Sequence, residues 1–323
     1  MRYKVLGTTG VKVSALCMGT MSFGGIADEQ EAKKMFHRCR DLGINFFDTA
    51  CNYNQGRSEE ILGKLIKDCR RDVIISTKVY YSSFDDVNAK GLSRRSIMRE
   101  VESSLKRLGT DWIDFYFVHN FDSDVDMEDV LRALDDLQRQ GKILYPAVSN
   151  WAAWQIAKAL GISAREGLAS FRCIQPMYNL VKRQVEVEIL PLARSEKLGV
   201  IPYSPLGGGL LTGKYLEPGA RGRLVDDPRY RARYGSEAYY ETAARFVEYA
   251  RAKGFHPATL AVAWVMSHPD VTAPLIGARS LEQLEPSLDA LNVDMTPEWR
   301  DEITALSIDP PPATDRSEGA DFK

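Results

Sequence analysis

The sequence predicts an α/β fold: a closed (β/α)8 TIM barrel with an N-terminal β-hairpin and extra C-terminal helices. Three observations predict it. Short apolar runs alternate with helix-periodic segments, and such alternation implies a parallel sheet. The alternation gives eight βα units, which suit a closed barrel better than an open doubly wound sheet. The 323 residues fit one barrel of roughly 250 residues with additions. No linker rich in Pro, Gly or Ser divides the chain, so residues 1–323 are expected to form a single domain.

The elements follow in order. Tyr3–Leu6 and Lys12–Ser14 flank the turn cluster Gly7-Thr8-Thr9-Gly10 and predict the hairpin. Val13–Met18 is apolar and predicts the first barrel strand. A helix is expected over Asp28–Leu42, with Ala32, Met35, Phe36 and Cys39 on one face and Gly43 as its stop. Ile44–Phe47 reads as a strand, Ser58–Ile66 as a helix and Val73–Thr77 as a buried strand. Ser93 caps a helix ending at Leu108 and Gly109. Ile113–Val118 is a strand, and Asp126–Gln140 a helix with acids in its first turn. Ile143–Val148 and Trp151–Leu160 form the next unit, then Arg172–Gln175 and Gln184–Leu198. Val200–Pro202 is the seventh strand. A long loop is expected over 206–235. Helices Glu237–Lys253 and Pro257–Ser267, strand Val271–Ile276, and helices Leu281–Leu291 and Pro297–Leu306 complete the chain. Residues 309–323 read as an irregular tail.

Composition narrows the function classes. Lys and Arg number 42 and Asp and Glu 44, a formal charge of −2. No global basic field draws nucleic acid, and no polybasic flank suggests an anionic membrane. No apolar run reaches about 18 residues, so no membrane span is expected. The first residues lack the apolar stretch of a secretory signal. The five Cys are widely spread without Cys-x-x-Cys, and there is no Asn-x-Ser/Thr. Reduced thiols and a cytoplasmic location are expected.

In a barrel, the reactive end is where strands stop at their C-terminal ends. There the chain places Asp48, Lys78, His119-Asn120, Ser149-Asn150, Gln175, Tyr203-Ser204 and Gly277-Ala278-Arg279, with Tyr53 shortly after Asp48. Four of these make a chemically coherent set. A phenol with a pKa of about 10 trades protons poorly near neutrality. A neighbouring ammonium, Lys78, would lower it by stabilising the phenolate. Asp48 would keep Lys78 charged and aimed. His119 would donate a hydrogen bond to a carbonyl oxygen, and Tyr53 would protonate that oxygen as carbon accepts hydride.

Bland readings compete. Asp48 could cap a strand end, Tyr53 could pack at the rim, and Lys78 could be a surface charge or a Schiff-base lysine of a barrel aldolase. Ser149 and Asn150 could be N-caps of the helix from Trp151. The four His show no metal-ligand spacing, so no metal is assigned. Gly208–Lys214 satisfies G-x-x-x-x-G-K, but Tyr215 stands where a P-loop needs Ser or Thr, which excludes an ATPase. Arg221, Arg223, Arg229, Arg231 and Arg233 surround Asp226-Asp227. They read as a solvated loop, as a cover over bound cofactor, or as a site for an anionic substrate group. Phe23, Tyr80, Phe121, Trp151 and Tyr215 follow strand ends and are candidate substrate-pocket walls, with core packing as the rival.

With these motifs in order, the chain resembles the aldo-keto reductase superfamily. The likeness rests on Asp48-Thr49-Ala50-Cys51-Asn52-Tyr53, Lys78, Val118-His119, Val148-Ser149-Asn150, Gln175 and Tyr203-Ser204-Pro205-Leu206. Gly207–Lys214 and Ile276-Gly277-Ala278-Arg279 extend it. It covers about residues 3 to 308. The resemblance implies a (β/α)8 barrel binding NADPH or NADP+ in extended form, and the Asp48–Tyr53–Lys78–His119 tetrad as catalytic residues. It implies that Ser149, Asn150 and Gln175 hold the nicotinamide amide and that Tyr203 stacks on its ring. Leu206, Gly207 and Leu210 would follow the pyrophosphate, and Arg279 would face the 2′-phosphate. Gly19, Thr20 and Met21 would approach by their backbone. Asp48, Ser204, Pro205, Gly213, Lys214, Gly277, Ala278 and Gln283 complete the implied cofactor set. Gln283 matches the family pattern, whereas Pro286 and Ser287 depart from it. The expected activity is reversible reduction of an aldehyde or ketone, on a small carbonyl or alcohol substrate. The rival is an NADP(H)-binding regulatory subunit of the potassium-channel β type with little turnover. A homo-oligomer is compatible with either.

Overall fold

The computed structural model describes residues 1–217 and 219–314. The tail expected over 309–323 is irregular through residue 314, and its remainder lies outside the described residues. Eight parallel strands form the barrel: β3 (Cys17–Gly19), β4 (Phe46–Asp48), β5 (Ile74–Val79), β6 (Ile113–Val118), β7 (Ile143–Ser149), β8 (Cys173–Gln175), β9 (Gly199–Val200) and β10 (Leu275–Ile276). They pair in that order, with β10 returning beside β3 through Leu275–Cys17 and Ile276–Met18. The circle closes where Thr272 N–H donates to Val200 O at 2.8 Å and Leu275 N–H to Pro202 O at 2.8 Å.

The hairpin of β1 (Tyr3–Val5) and β2 (Lys12–Ser14) pairs antiparallel, Tyr3 opposite Ser14. It seals the N-terminal end of the barrel. Leu6 and Val13 join Cys17, Phe46, Phe115, Phe117, Ala147, Cys173, Ile201 and Ala273 in the interior cluster. Strand periodicity explains this set, because alternate residues face the lumen. The opposite parity, including Phe47, Ile75, Tyr116, Val118, Val148 and Ile174, packs against the helices.

The helical layer begins with α1 (Glu29–Asp41), α2 (Arg57–Ile66), α3 (Arg94–Leu108), α4 (Met127–Arg139) and α5 (Ala153–Glu166). Asp28, Ser93 and Asp126 cap α1, α3 and α4 through side-chain acceptors, as local cap chemistry dictates. Helix α5 starts later than expected. Trp151 is buried, and Gln155 rather than Ser149 or Asn150 satisfies the free N–H of Ala152. The N-cap alternative for Ser149 and Asn150 is thereby removed.

Two other expectations change. The helix expected over 184–198 divides into a 3₁₀ turn, Gln184–Glu186, and α6 (Ile189–Ser195). Pro191 causes this, because its ring would clash with the carbonyl four residues earlier in a continuous helix. The loop expected over 206–235 holds a 3₁₀ turn (Gly207–Thr212), α7 (Arg223–Asp226) and α8 (Pro228–Tyr234). Asp227 caps Arg229 N–H, and Pro228 occupies the first turn. Helices α9 (Glu237–Ala252), α10 (Pro257–Met266), α11 (Leu281–Leu288) and α12 (Pro297–Thr304) finish the described chain. None of the described helices is long and apolar enough to cross a membrane.

Candidate active site

Strand parity assembles the site. Phe46, Phe115 and Phe117 face the lumen. Two residues beyond Phe46 stands Asp48, and two beyond Phe117, just past the end of β6, stands His119. Ser149 follows lumen-facing Ala147, Gln175 follows Cys173 and Tyr203 follows Ile201 by the same step. The top layer of the barrel interior is therefore polar by the rule that makes lower layers apolar.

At its centre Lys78 is fully buried. Its Nζ donates to Asp48 Oδ2 at 2.5 Å and to Thr49 O at 2.6 Å. It also lies 3.4 Å from Tyr53 Oη and 4.9 Å from the Tyr53 ring centre. Asp48 Oδ1 accepts from Ser76 Oγ at 2.7 Å and Gln175 Nε2 at 3.0 Å. Burial alone would lower the Lys78 ammonium, but Asp48 and Tyr53 outweigh that and hold it above its ordinary value. A charged, triply bonded amine is a poor Schiff-base nucleophile, which counts against the aldolase alternative.

Tyr53 departs from the expectation of a lowered pKa. Burial pushes its phenol above 10; Lys78 pulls it back only in part, and Asp48 adds to the rise. Tyr53 opens a turn in which Asn54 (φ 49°), Gln55 (φ 57°) and Gly56 (φ 88°) are successive left-handed residues. Asn54 Nδ2 fastens that turn to Met21 O at 3.0 Å and Phe23 O at 2.7 Å.

His119 packs edge-on to Tyr53 with ring centres 6.1 Å apart, and to Tyr81 at 5.3 Å. Burial, with a smaller contribution from Lys78, lowers its pKa to about 3, so the imidazole is neutral. Its Nδ1 is buried without a partner. A buried N–H with no acceptor is costly, which favours the proton on Nε2.

The rim continues around the barrel. Ser149 Oγ donates to Gln175 O at 2.8 Å, Asn150 Nδ2 to His119 O at 2.9 Å, and Tyr203 Oη to Asn150 Oδ1 at 2.7 Å. Asn150 (φ 60°) and Ser204 (φ 58°) are held in left-handed backbone, the kind of strain that clusters at functional sites. Gly207, Gly208 and Gly209 all have positive φ, and a Cβ on Gly208 would meet Leu224, Tyr230 and Tyr234. Pro205 is buried and Leu206 half-buried. Leu210 and Gly213 are buried, so the Leu210 side chain belongs to the core and only backbone could face a ligand.

The ends of β3 and β10 lie close together. Thr20 N–H donates to Asp48 O, Ser22 Oγ to Ala278 O, and a Cβ on Gly277 would sit 3.3 Å from Gly19 O. Met21 and Gln283 are exposed. Arg279 is half-buried, and among the described residues no carboxylate pairs with Arg279 or Lys214. Two cations without acids beside a backbone stripped of side chains are suited to a phosphorylated cofactor.

The candidate pocket walls divide. Phe23 is completely buried, and Trp151 and Tyr215 nearly so, which makes them core residues rather than open walls. Aromatic size had suggested a pocket, but those rings are consumed by packing. Tyr80 and Phe121 are half-buried, Phe121 lying edge-on to Trp151 and Trp154. Tyr81, against His119, was not apparent from the sequence. Neither was Tyr230, whose ring lies 5.3 Å from the Arg233 guanidinium and 5.5 Å from that of Arg223. Arg229 pairs with Asp227. Tyr234 anchors α8 at the rim: its Oη accepts from Asn179 Nδ2, which also donates to Ser204 O. The Arg-rich segment thus caps one side of the barrel mouth.

Comparison with known proteins agrees with this geometry. A model of the aldo/keto reductase family matches residues 15–308. A probable voltage-gated potassium channel subunit beta of Oryza sativa subsp. japonica is 37% identical over 334 residues, spanning 98% of this chain and 99% of its own. The uncharacterized oxidoreductase YrpG of Bacillus subtilis (strain 168) is 37% identical over 309 residues, 92% of this chain and 93% of its own. The versiconal hemiacetal acetate reductase of Aspergillus parasiticus is 32% identical over 327 residues, 92% and 94% respectively.

Proposed function

The chain belongs to the aldo/keto reductase family, and from that premise we propose that it is an NADP(H)-dependent oxidoreductase that reduces an aldehyde or ketone to an alcohol, reversibly. The observation that carries the proposal is the buried Asp48–Lys78 pair reaching the half-buried Tyr53, with His119 across from the phenol.

Bound NADPH would supply hydride to the carbonyl carbon. Ser149, Asn150, Gln175 and Tyr203 would hold its nicotinamide end, and Lys214 and Arg279 its phosphates. This chain's residues do the proton work. His119 Nε2–H donates to the carbonyl oxygen and orients it. Tyr53 Oη gives that oxygen its proton as the C–H bond forms, so the product gains one hydride and one proton. Lys78 stabilises the phenolate left behind, and Asp48 with Thr49 O keeps the ammonium in place. A phenol held above 10 stays protonated at neutral pH, the form in which it can donate to a carbonyl oxygen.

A fluorescence titration with NADPH, followed by a carbonyl panel read as NADPH loss, tests this. Turnover that disappears in Tyr53→Phe is expected. Relatives named as potassium-channel β subunits favour a second reading, a cofactor-binding subunit with little turnover. NADPH binding with no turnover above the Tyr53→Phe background would select it.

A further inference from the structure

We propose that Glu59 and Arg107 are positioning residues: a buried ion pair behind the barrel wall that fixes Tyr53 against Lys78. The proposal rests on the reductase reading for its kinetic consequence.

Thr77 precedes Lys78 on β5 and has the opposite parity, so it faces the helices while Lys78 faces the lumen. Its Oγ1 donates to Glu59 Oε1 at 2.5 Å. Glu59 lies in the first turn of α2, directly after the turn that carries Tyr53. Its other oxygen, Oε2, accepts from Arg107 Nε of α3 at 2.6 Å. One fully buried carboxylate therefore joins three elements: the strand of Lys78, the helix following Tyr53 and α3.

Arg107 completes the clamp from the far side. A Cβ on Gly56 would lie 2.8 Å from Arg107 Cδ and 3.0 Å from Nε, so the guanidinium stem packs directly on the third left-handed residue of the Tyr53 turn. Arg107 is fixed in turn by Ser83 Oγ at 3.1 Å and Ser104 Oγ at 3.4 Å. A Cβ on Gly63 of α2 would come within 2.6 Å of Arg107 O, so α2 and α3 already touch there. Three successive left-handed residues do not persist without support. Here the support is Asn54 on one side and the Arg107 stem on the other. Since a displacement of about 1 Å at a reacting group costs about 10²-fold in rate, the 3.4 Å spacing of Lys78 Nζ and Tyr53 Oη is the quantity at stake.

The test uses Glu59→Gln/Arg107→Met in a Glu100→Gln parent, because Glu100 Oε2 lies 3.8 Å from Arg107 Nη2 and would otherwise be left as an unpaired buried carboxylate. The expected kcat falls about 10- to 10²-fold with the NADPH Kd nearly unchanged, and Arg107→Lys alone keeps more activity than Arg107→Met. Arg70→Met is the comparison. Arg70 pairs with Asp114, which holds Ile75 N–H at the opposite end of β5, so its loss should lower stability and spare kcat. A double variant with the parent's kcat, or a loss no larger than in Arg70→Met, overturns the clamp.

A wild type without turnover would sink the reductase reading, yet the clamp is still tested by NMR titration of ζ-13C tyrosine, with Tyr53 assigned through Tyr53→Phe. Lys78→Met should move the Tyr53 titration in the Glu100→Gln parent, and clearly less in the double variant. An equal shift in both backgrounds overturns the proposal.

Discussion

Nζ of Lys78 lies 2.5 Å from Oδ2 of Asp48, and neither side chain reaches solvent. A buried pair of this kind is a weak source of net stability, because desolvation offsets most of the attraction. Removing one partner is a different matter, costing about 3–5 kcal/mol by leaving an unpaired buried charge. Lys78→Met should therefore lower the urea midpoint strongly and abolish turnover. Asp48→Asn/Lys78→Met should recover much of the stability and none of the activity. If the double variant were as unstable as the single one, the cost would lie in packing and not in the orphaned carboxylate.

Tyr53→Phe removes one oxygen and keeps the ring that meets His119 at 6.1 Å. The kcat should fall at least about 10²-fold, the lower end of general-acid contributions, with NADPH affinity nearly intact. Because burial holds the phenol above 10, wild-type reduction should not lose rate through Tyr53 ionisation between neutrality and pH 9. Wild-type-like kcat in the Phe variant removes Tyr53 from the mechanism.

His119 gives stability a definite pH dependence. Its pKa falls from the ordinary 6.5 to about 3 on folding. Below 6.5 the unfolded chain binds a proton that the folded chain does not. Stability thus declines as pH drops from 6.5 toward 3, by up to about 1.4 kcal/mol per pH unit for one such group. His268, lowered to about 4 chiefly by burial, acts in the same direction over a narrower window. Urea unfolding between pH 4.5 and 7.5 should show a shallower slope in His119→Gln and in His268→Gln. An unchanged slope in His119→Gln would mean that the folded imidazole is already protonated.

What was legible in the sequence was what depends on local rules. Asp48, Lys78, His119, Ser149, Gln175 and Tyr203 could be found because each ends a barrel strand, and strand period places them on the lumen side. Ser93 was legible as a cap because a cap bonds within three residues, whereas Asp28 and Asp126, read as the first residues of their helices, prove to be the caps. The rest depends on distance along the chain. Tyr81 packs on His119 after a backbone turn in which Tyr80 takes φ 140°. Tyr230 belongs to α8, whose Tyr234 bonds Asn179 from another part of the chain. Glu59 meets Thr77 and Arg107 across gaps of 18 and 48 residues. Phe23 and Trp151 show the reverse: an aromatic after a strand end carries no mark of whether it fills a core or borders an opening.

The last prediction concerns cofactor choice and rests on Arg279. Ser280 is the N-cap of α11, its Oγ accepting from Gln283 N–H, so the capping role is already filled. Glu31 already serves that helix end, its Oε1 accepting from Leu281 N–H at 2.6 Å, and among the described residues no carboxylate pairs with Arg279 itself. An anion beside Arg279 would satisfy the guanidinium. The 2′-phosphate of NADPH is such an anion, and NADH lacks it. Charge-assisted hydrogen bonds contribute about 1.5–3 kcal/mol, and about 1.4 kcal/mol is tenfold in affinity. Wild-type protein should therefore bind NADPH at least about tenfold more tightly than NADH. Arg279→Ala should weaken NADPH by that factor and leave NADH almost unchanged, as read from fluorescence Kd values for the two cofactors. Equal losses for both, or a wild type that prefers NADH, would remove Arg279 from cofactor recognition.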